Sequence, residues 1–293
     1  MDKRIVSVLV VAAAFGLVAC GSDADSPAAD DSLPPVVDDS LPPVADGYEH
    51  PTGSDEVVME YAEVGGFMPR EFAFRQTPNI LIAGDGQSYS PGAQIEIYPG
   101  PLLPAVQVWS IGDDGIQEAL AAADDAGLFA DIDYEQPTNI ADASTARVTI
   151  NVNGETYVHE AYALGFGGGL GDGASDAGSP ERQALLDFID ELTMIVSPGP
   201  TGDPGIFEPT EYGIEALVVD DLSAYGTDGI EPIVVDWPAD ASVRLVDAPT
   251  CTVVSAAEVG DVLMAANQLT FFDDAGVVYQ VLAKPILPGT ICE

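Results

Sequence analysis

His159-Glu160-Ala161-Tyr162-Ala163 begins like the zinc-protease signature His-Glu-x-x-His, in which two imidazoles one helical turn apart hold the metal and the carboxylate activates water. Ala163 stands where the second imidazole belongs. The stretch also falls in a run that reads as a strand, where residues four apart do not make a helical ligand face. His159 is therefore expected as a packed histidine at a core edge. His50, the other histidine, lies in a segment read as disordered. A Ser-His-Asp site would therefore have to use His159 as its base. No Gly-x-Ser-x-Gly elbow supplies the nucleophile, since Gly86-Gln87-Ser88-Tyr89-Ser90 ends in serine.

Carboxylates are abundant: 49 Asp and Glu against eight Lys and Arg, a formal net charge of −41. Asp131-Ile132-Asp133-Tyr134-Glu135 spaces three acids alternately, but Gln136 stands where a calcium EF-hand needs glycine. Gly168-Gly169-Leu170-Gly171-Asp172-Gly173 is a single near miss of the calcium-binding nonapeptide, with Gly173 in place of Asp. Asp131, Asp133, Glu135, Asp172 and Asp176 are the candidates for weak divalent-cation binding, and no cofactor is expected. Paired Asp and Glu could also cleave glycosides, and so many acids offer many pairs. Gly165 to Gly173 invites a phosphate-loop reading. It has no Gly-x-Gly-x-x-Gly register and no following lysine, so it reads as a surface loop.

The charge balance argues against nucleic acid as a partner and against adhesion to anionic lipid head groups. It fits either a solvated acidic surface suited to a salty habitat or a surface that collects divalent cations.

Three cysteines remain to be placed. Lys3 and Arg4 precede the uncharged apolar run Ile5 to Val18, which is too short for a membrane-spanning helix of ~20 residues and reads as a signal peptide. It ends Leu17-Val18-Ala19-Cys20, similar to the lipobox of bacterial lipoprotein precursors, so that Cys20 would carry a diacylglycerol and begin the mature chain. Acyl chains at ~0.8 kcal/mol per buried methylene anchor stably when there are two. The expected location is the extracytoplasmic face of a cell membrane. Cys251 and Cys292 are then an even pair in an oxidising compartment. A disulfide between them would add ~4 kcal/mol on the chain-entropy model.

The elements that must position these residues divide the chain into a signal peptide (1–19), an acidic Pro-rich disordered tether (20–56), an N-terminal subdomain (57–197), a Gly/Pro-rich linker (198–212) and a C-terminal subdomain (213–293). The tether holds two tandem octapeptides, Asp31 to Asp38 and Asp39 to Asp46, whose paired prolines favour an extended polyproline II spacer. Strands are predicted at 57–64, 71–74, 79–83, 94–98 and 105–111, then a helix with Asp113 and Asp114 in its first turn and Ile116, Leu120 and Ala123 on its buried face. Asn153-Gly154 predicts a hairpin of 147–152 with 155–164, setting Ile150 opposite Tyr157 and Val148 opposite His159. Ser179-Pro180 opens a second helix with the stripe Leu185, Phe188, Ile189 and Leu192.

After the linker come strands at 214–219, 233–237, 243–246 and 251–254, a Ser255-Ala256-Ala257-Glu258 capping box opening a third helix, and a hairpin of 269–272 with 277–283. Strand, helix and hairpin thus occur twice, at about 105–164 and 251–283, without residue-by-residue similarity. The fold class is α+β, antiparallel sheets with a few packed helices.

Gly65-Gly66-Phe67, Gln94 to Pro101, Ala121 to Phe129 and Pro285-Ile286-Leu287-Pro288 before Cys292 resemble a group of uncharacterised lipoproteins of high-GC Gram-positive bacteria, over most of residues 57–293. The resemblance implies placement in the envelope, an α+β fold and a terminal disulfide, and no chemistry. The leading expectation is a non-enzymatic, lipid-anchored envelope protein that binds or spaces an envelope protein or polymer. A hydrolase using paired carboxylates and a divalent-cation-dependent binding module are the alternatives.

Overall fold

The structure is a computed structural model and describes residues 47–165, 178–197, 204–226 and 229–292. Cys20, the signal peptide, the tandem octapeptides, Asp172, Asp176 and most of the glycine-rich loop lie outside the described residues.

Among the described residues twelve strands form two sheets. The first has the order β6-β5-β1-β2-β3-β4-β7, with β1 at Val57–Gly65, β2 at Ile80–Ala83, β3 at Gln87–Pro91, β4 at Val106–Ser110, β5 at Ser144–Val152, β6 at Glu155–Tyr162 and β7 at Gly205–Ile206. The second has the order β10-β8-β12-β11-β9, with β8 at Glu211–Val218, β9 at Ile233–Asp236, β10 at Thr252–Ser255, β11 at Thr270–Asp274 and β12 at Val277–Pro285. All pairings are antiparallel except β9 with β11.

Helices α2 (Gly112–Asp125) and α3 (Pro180–Ile195) close one face of the first sheet, burying Ile116, Leu120, Leu185, Phe188 and Leu192 against Ile80, Ile82, Val148 and Ile150. On the other face Leu81, Ala83, Tyr89 and Val106 pack with Leu287 from the C-terminal tail. Coverage on both sides explains why Ile80-Leu81-Ile82-Ala83 is an unbroken apolar run. α2 stops where Gly127 turns to φ 74° and Leu128 N–H reaches the Ala123 carbonyl, a helix end that suits glycine. Helix α4 (Ala256–Ala265) covers one face of the second sheet with Val259 and Leu263 over Ile214, Phe272 and Val281. The opposite face is covered by α1 (Arg70–Arg75), a helix from the first half of the chain.

The expected 147–164 hairpin keeps its register, Ile150 opposite Tyr157 and Val148 opposite His159, and both helix stripes are buried as predicted. Cys251 and Cys292 are disulfide-bonded with Cα atoms 5.4 Å apart. Their sulfurs sit over Gly213, where a Cβ would come within 3.0 Å of either.

Several expectations are corrected. Residues 71–74, read as a strand, lie in α1, which puts Arg70 and Phe74 on one side and Glu71 and Arg75 on another. The expected strand 94–98 is irregular, because Pro91, Pro99, Pro101 and Pro104 withhold ladder donors around it. Gln87–Pro91 is a strand that its polar composition hid. Residues 245–247, which overlap the end of the expected strand 243–246, form a 3-10 turn. The capping box is half made: Ser255 Oγ accepts from Ala257 N–H, whereas the Glu258 carboxylate accepts from the Ser242 N–H and hydroxyl.

The stretch read as a linker contributes β7 to the first sheet and the opening of β8 to the second. The end of the expected tether is also held. Tyr48 exchanges hydrogen bonds with the Gln117 amide, Glu49 pairs with Asn153, and His50 lies 3.0 Å from Asp113.

Candidate functional site

His159 is buried on β6, the edge strand of the first sheet. Its Nε2 is 2.8 Å from the Leu128 carbonyl oxygen and its Nδ1 is 2.9 Å from the Tyr134 hydroxyl. A carbonyl can only accept, so Nε2 carries the proton and Nδ1 accepts from Tyr134. Burial pushes the imidazole below its ordinary value and pushes the Tyr134 phenol up to about 12. Both nitrogens are thus engaged by neutral partners, and the residue serves to hold the chain after α2 against the sheet. Alternation along 131–135 turns Tyr134 inward and leaves Asp131, Asp133 and Glu135 exposed. Among the described residues no group of three or more His, Cys, Asp or Glu could hold a metal ion, so this cluster does not assemble the cation site suggested by its spacing.

Three carboxylates with special surroundings lie near a cation. Asp274 accepts from Arg244 and from Leu245 N–H, and the Arg244 hydrogen bonds hold its carboxyl below the usual range. Glu215, buried on β8, pairs with Arg70. Half-buried Glu60 is pushed up by burial, and the charge acting on it is the opposing Arg147.

A different site lies at the seam of the two sheets. The irregular segment after β3 is fastened to the stretch between α4 and β11. Leu102 N–H donates to the Ala266 carbonyl (3.1 Å), Gln268 N–H to that of Gly100 (2.9 Å), and Gly100 N–H to the Gln268 side chain (3.2 Å). α1 is fixed beside it on the second sheet through Arg70–Glu215 and through Lys284, whose Nζ lies 5.3 Å from the Phe74 ring centroid. Two cavities flank the fastened segment.

The larger, about 570 Å³, is walled by apolar residues including Ile95, Leu103, Phe207 and Met264. The smaller, about 310 Å³, lies between α1 and β12. Phe72, Tyr98, Leu102, Val281 and Leu282 form its apolar walls, and Glu71, Arg75, Gln268, Thr270 and Gln280 supply polar groups. Arg75 Nη2 donates to the Pro101 carbonyl (3.0 Å), which ties the helix to the segment. Its Nε is buried without an acceptor, and burial lowers the guanidinium from its ordinary value.

Sequence reasoning missed this site because it read 71–74 as a strand, which scatters Phe72 and Arg75 onto different faces. The usable signal was scarcity. Apart from Lys3 and Arg4 the chain has six basic residues, and Arg70, Arg75 and Lys284 belong to α1 and the strand beneath it. Compared with protein-family models, curated proteins and solved structures, the chain matches none of them.

Proposed function

We propose that this chain is an envelope lipoprotein, anchored by lipid on Cys20 to the extracytoplasmic face of a membrane, whose α+β body binds a small molecule at the seam of its two sheets. The observation that carries the binding half is the 310 Å³ cavity, within the ~300–1,000 Å³ of small-molecule sites and combining apolar walls with a few convergent polar groups. A binding role is supported by the engagement of both imidazoles, His159 by Tyr134 and Leu128 and His50 by Asp113 and Pro51. The anchor rests on the sequence of residues 3–20 and on the resemblance to envelope lipoproteins.

Two measurements test the halves separately. Metabolic labelling with a palmitate analogue is expected to mark the wild-type chain and not Cys20→Ser, which should appear in the medium; an unlabelled wild type overturns the anchor. Thermal-shift titration with small solutes of neutral, cationic and anionic character is expected to give a saturable shift that Phe72→Ala weakens. If no solute of any class shifts the protein, the binding role is wrong.

A further inference from the structure

In a chain with 49 acids, cations have every opportunity to be paired, and three of the six Lys and Arg among the described residues form ion pairs with described acids. Arg70 meets Glu215, Arg147 meets Glu160 and Arg244 meets Asp274. Buried Arg182 is held by the carbonyls of Glu135, Tyr162 and Ala163, and Lys284 lies over Phe74. Arg75 differs. It makes no ion pair with any described carboxylate, its one hydrogen-bond acceptor is a carbonyl, and its Nε is buried without a partner. Buried donors are nearly always bonded, so an orphan of this kind calls for an explanation. Glu71, one turn earlier on the same helix, lines the same cavity yet stays beyond ion-pair distance.

We infer that the cavity between α1 and β12 takes a small organic carboxylate, whose charged group supplies the counter-ion Arg75 lacks and whose apolar body packs between Phe72, Tyr98 and Leu102. The inference rests on the binding role proposed above and names its ligand class. The planar fork of a guanidinium matches a carboxylate's two oxygens. One uncompensated cation balances one negative charge. A multiply charged anion such as a phosphate would meet the field of a protein with net charge −41, which local pairing offsets only within the ~8 Å screening length of physiological salt. Apolar walls of Leu102, Val281 and Leu282 favour a body of aliphatic or aromatic carbon over a polyol. The Gln268 and Gln280 amides remain to orient polar substituents.

The test is isothermal titration of the full-length protein at fixed ionic strength with matched probes. Benzoate and hexanoate represent the class, benzyl alcohol and hexanol share their bodies without the charge, and inorganic phosphate carries charge without the body. The acids are expected to bind at least ten-fold tighter than the alcohols, and phosphate not at all. Arg75→Gln should lose at least ten-fold for the acids while leaving the alcohols unchanged; Arg75→Lys should keep part of the preference. Glu71→Gln should tighten acid binding by removing the competing carboxylate. Acids and alcohols of equal affinity, or an Arg75→Gln protein that binds the acids as wild type does, overturn the inference while the seam remains a binding site. Phosphate binding alone likewise overturns it. If none of the probes binds and broader solute screening also fails, the binding role falls with it.

Discussion

The face of the first sheet beneath α2 and α3 and the face of the second sheet beneath α1 are covered with unequal material. Two helices of 14 and 16 residues seal the first, where buried His159 and Arg182 are bonded to tyrosine and to backbone carbonyls and the buried Ser88 hydroxyl is the exception without a partner. A helix of six residues, none of them buried, covers the second, and a cavity opens beside it. The difference teaches that the gap has a local cause. α1 is too short to span the strands beneath it, where the Arg70–Glu215 pair and the Lys284–Phe74 contact hold it, with the Arg75–Pro101 hydrogen bond at its side.

The sharpest way to break this comparison is to truncate one phenylalanine on each side. Phe188 on α3 is 1% exposed and Phe72 on α1 is 60% exposed. Phe188→Ala should cost about 4 kcal/mol in urea unfolding. Phe72→Ala should stay within about 0.5 kcal/mol. Comparable costs would mean that α1 is packed as tightly as α3.

Next in size is the disulfide. Replacing Cys251 and Cys292 together by serine should remove about 3 kcal/mol. Because the same tail carries Leu287 into the first sheet, backbone hydrogen exchange should quicken in β2 and β3 as well as in β8 and β10. Quickening confined to β8 and β10 would show that the tail does not couple the sheets.

Tyr134→Phe should cost about 2 kcal/mol by leaving His159 Nδ1 buried without its donor. The same site sets a pH dependence. Since the folded imidazole lies below its ordinary value near 6.5, the unfolded chain binds more protons between the two values, and this contribution is full above 6.5 and lost as pH falls through the folded value. Tm should therefore drop between pH 7.5 and 5.5 more steeply in wild type than in His159→Gln; parallel curves would show that His159 contributes nothing to the slope.

The smallest effect has the opposite sign. Arg75→Met should raise stability by about 1 kcal/mol, because the buried Nε left without an acceptor costs more than the Pro101 hydrogen bond returns. A loss instead would make the guanidinium a structural strut through Pro101.

What could be read from the sequence followed the strength of local signals. Asn153-Gly154 fixed a hairpin register because both residues take positive φ (53° and 77°), which this turn demands. The stripes at 116–123 and 185–192 were equally legible, since each must bury one face. α1 was not. Glu71-Phe72-Ala73-Phe74 is short and aromatic as a strand would be, and the contacts that hold it as a helix, Arg70 with Glu215, Phe74 with Lys284 and Arg75 with the Pro101 carbonyl, come from distant parts of the chain. β3 was hidden for a related reason: Ser88 and Tyr89 are buried by neighbours distant in sequence. The seam cavity combines segments from residues 71 to 282, and no spacing along the chain records that meeting.

Residues 47–56 lead into a strand in the interior of a sheet, and this determines how the body would respond to traction from its N-terminal side. Force arriving along the chain first meets the Tyr48–Gln117 and Glu49–Asn153 hydrogen bonds, then β1, which is flanked by β5 from Met59 to Gly65 and by β2 on its other edge. Ladder bonds stand perpendicular to the strand axis. A pull along that axis loads them together as a shear joint, where a pull on an edge strand from one end would open them in turn as a zipper. A body loaded through this interior strand can thus bear traction without first opening the seam between its two sheets.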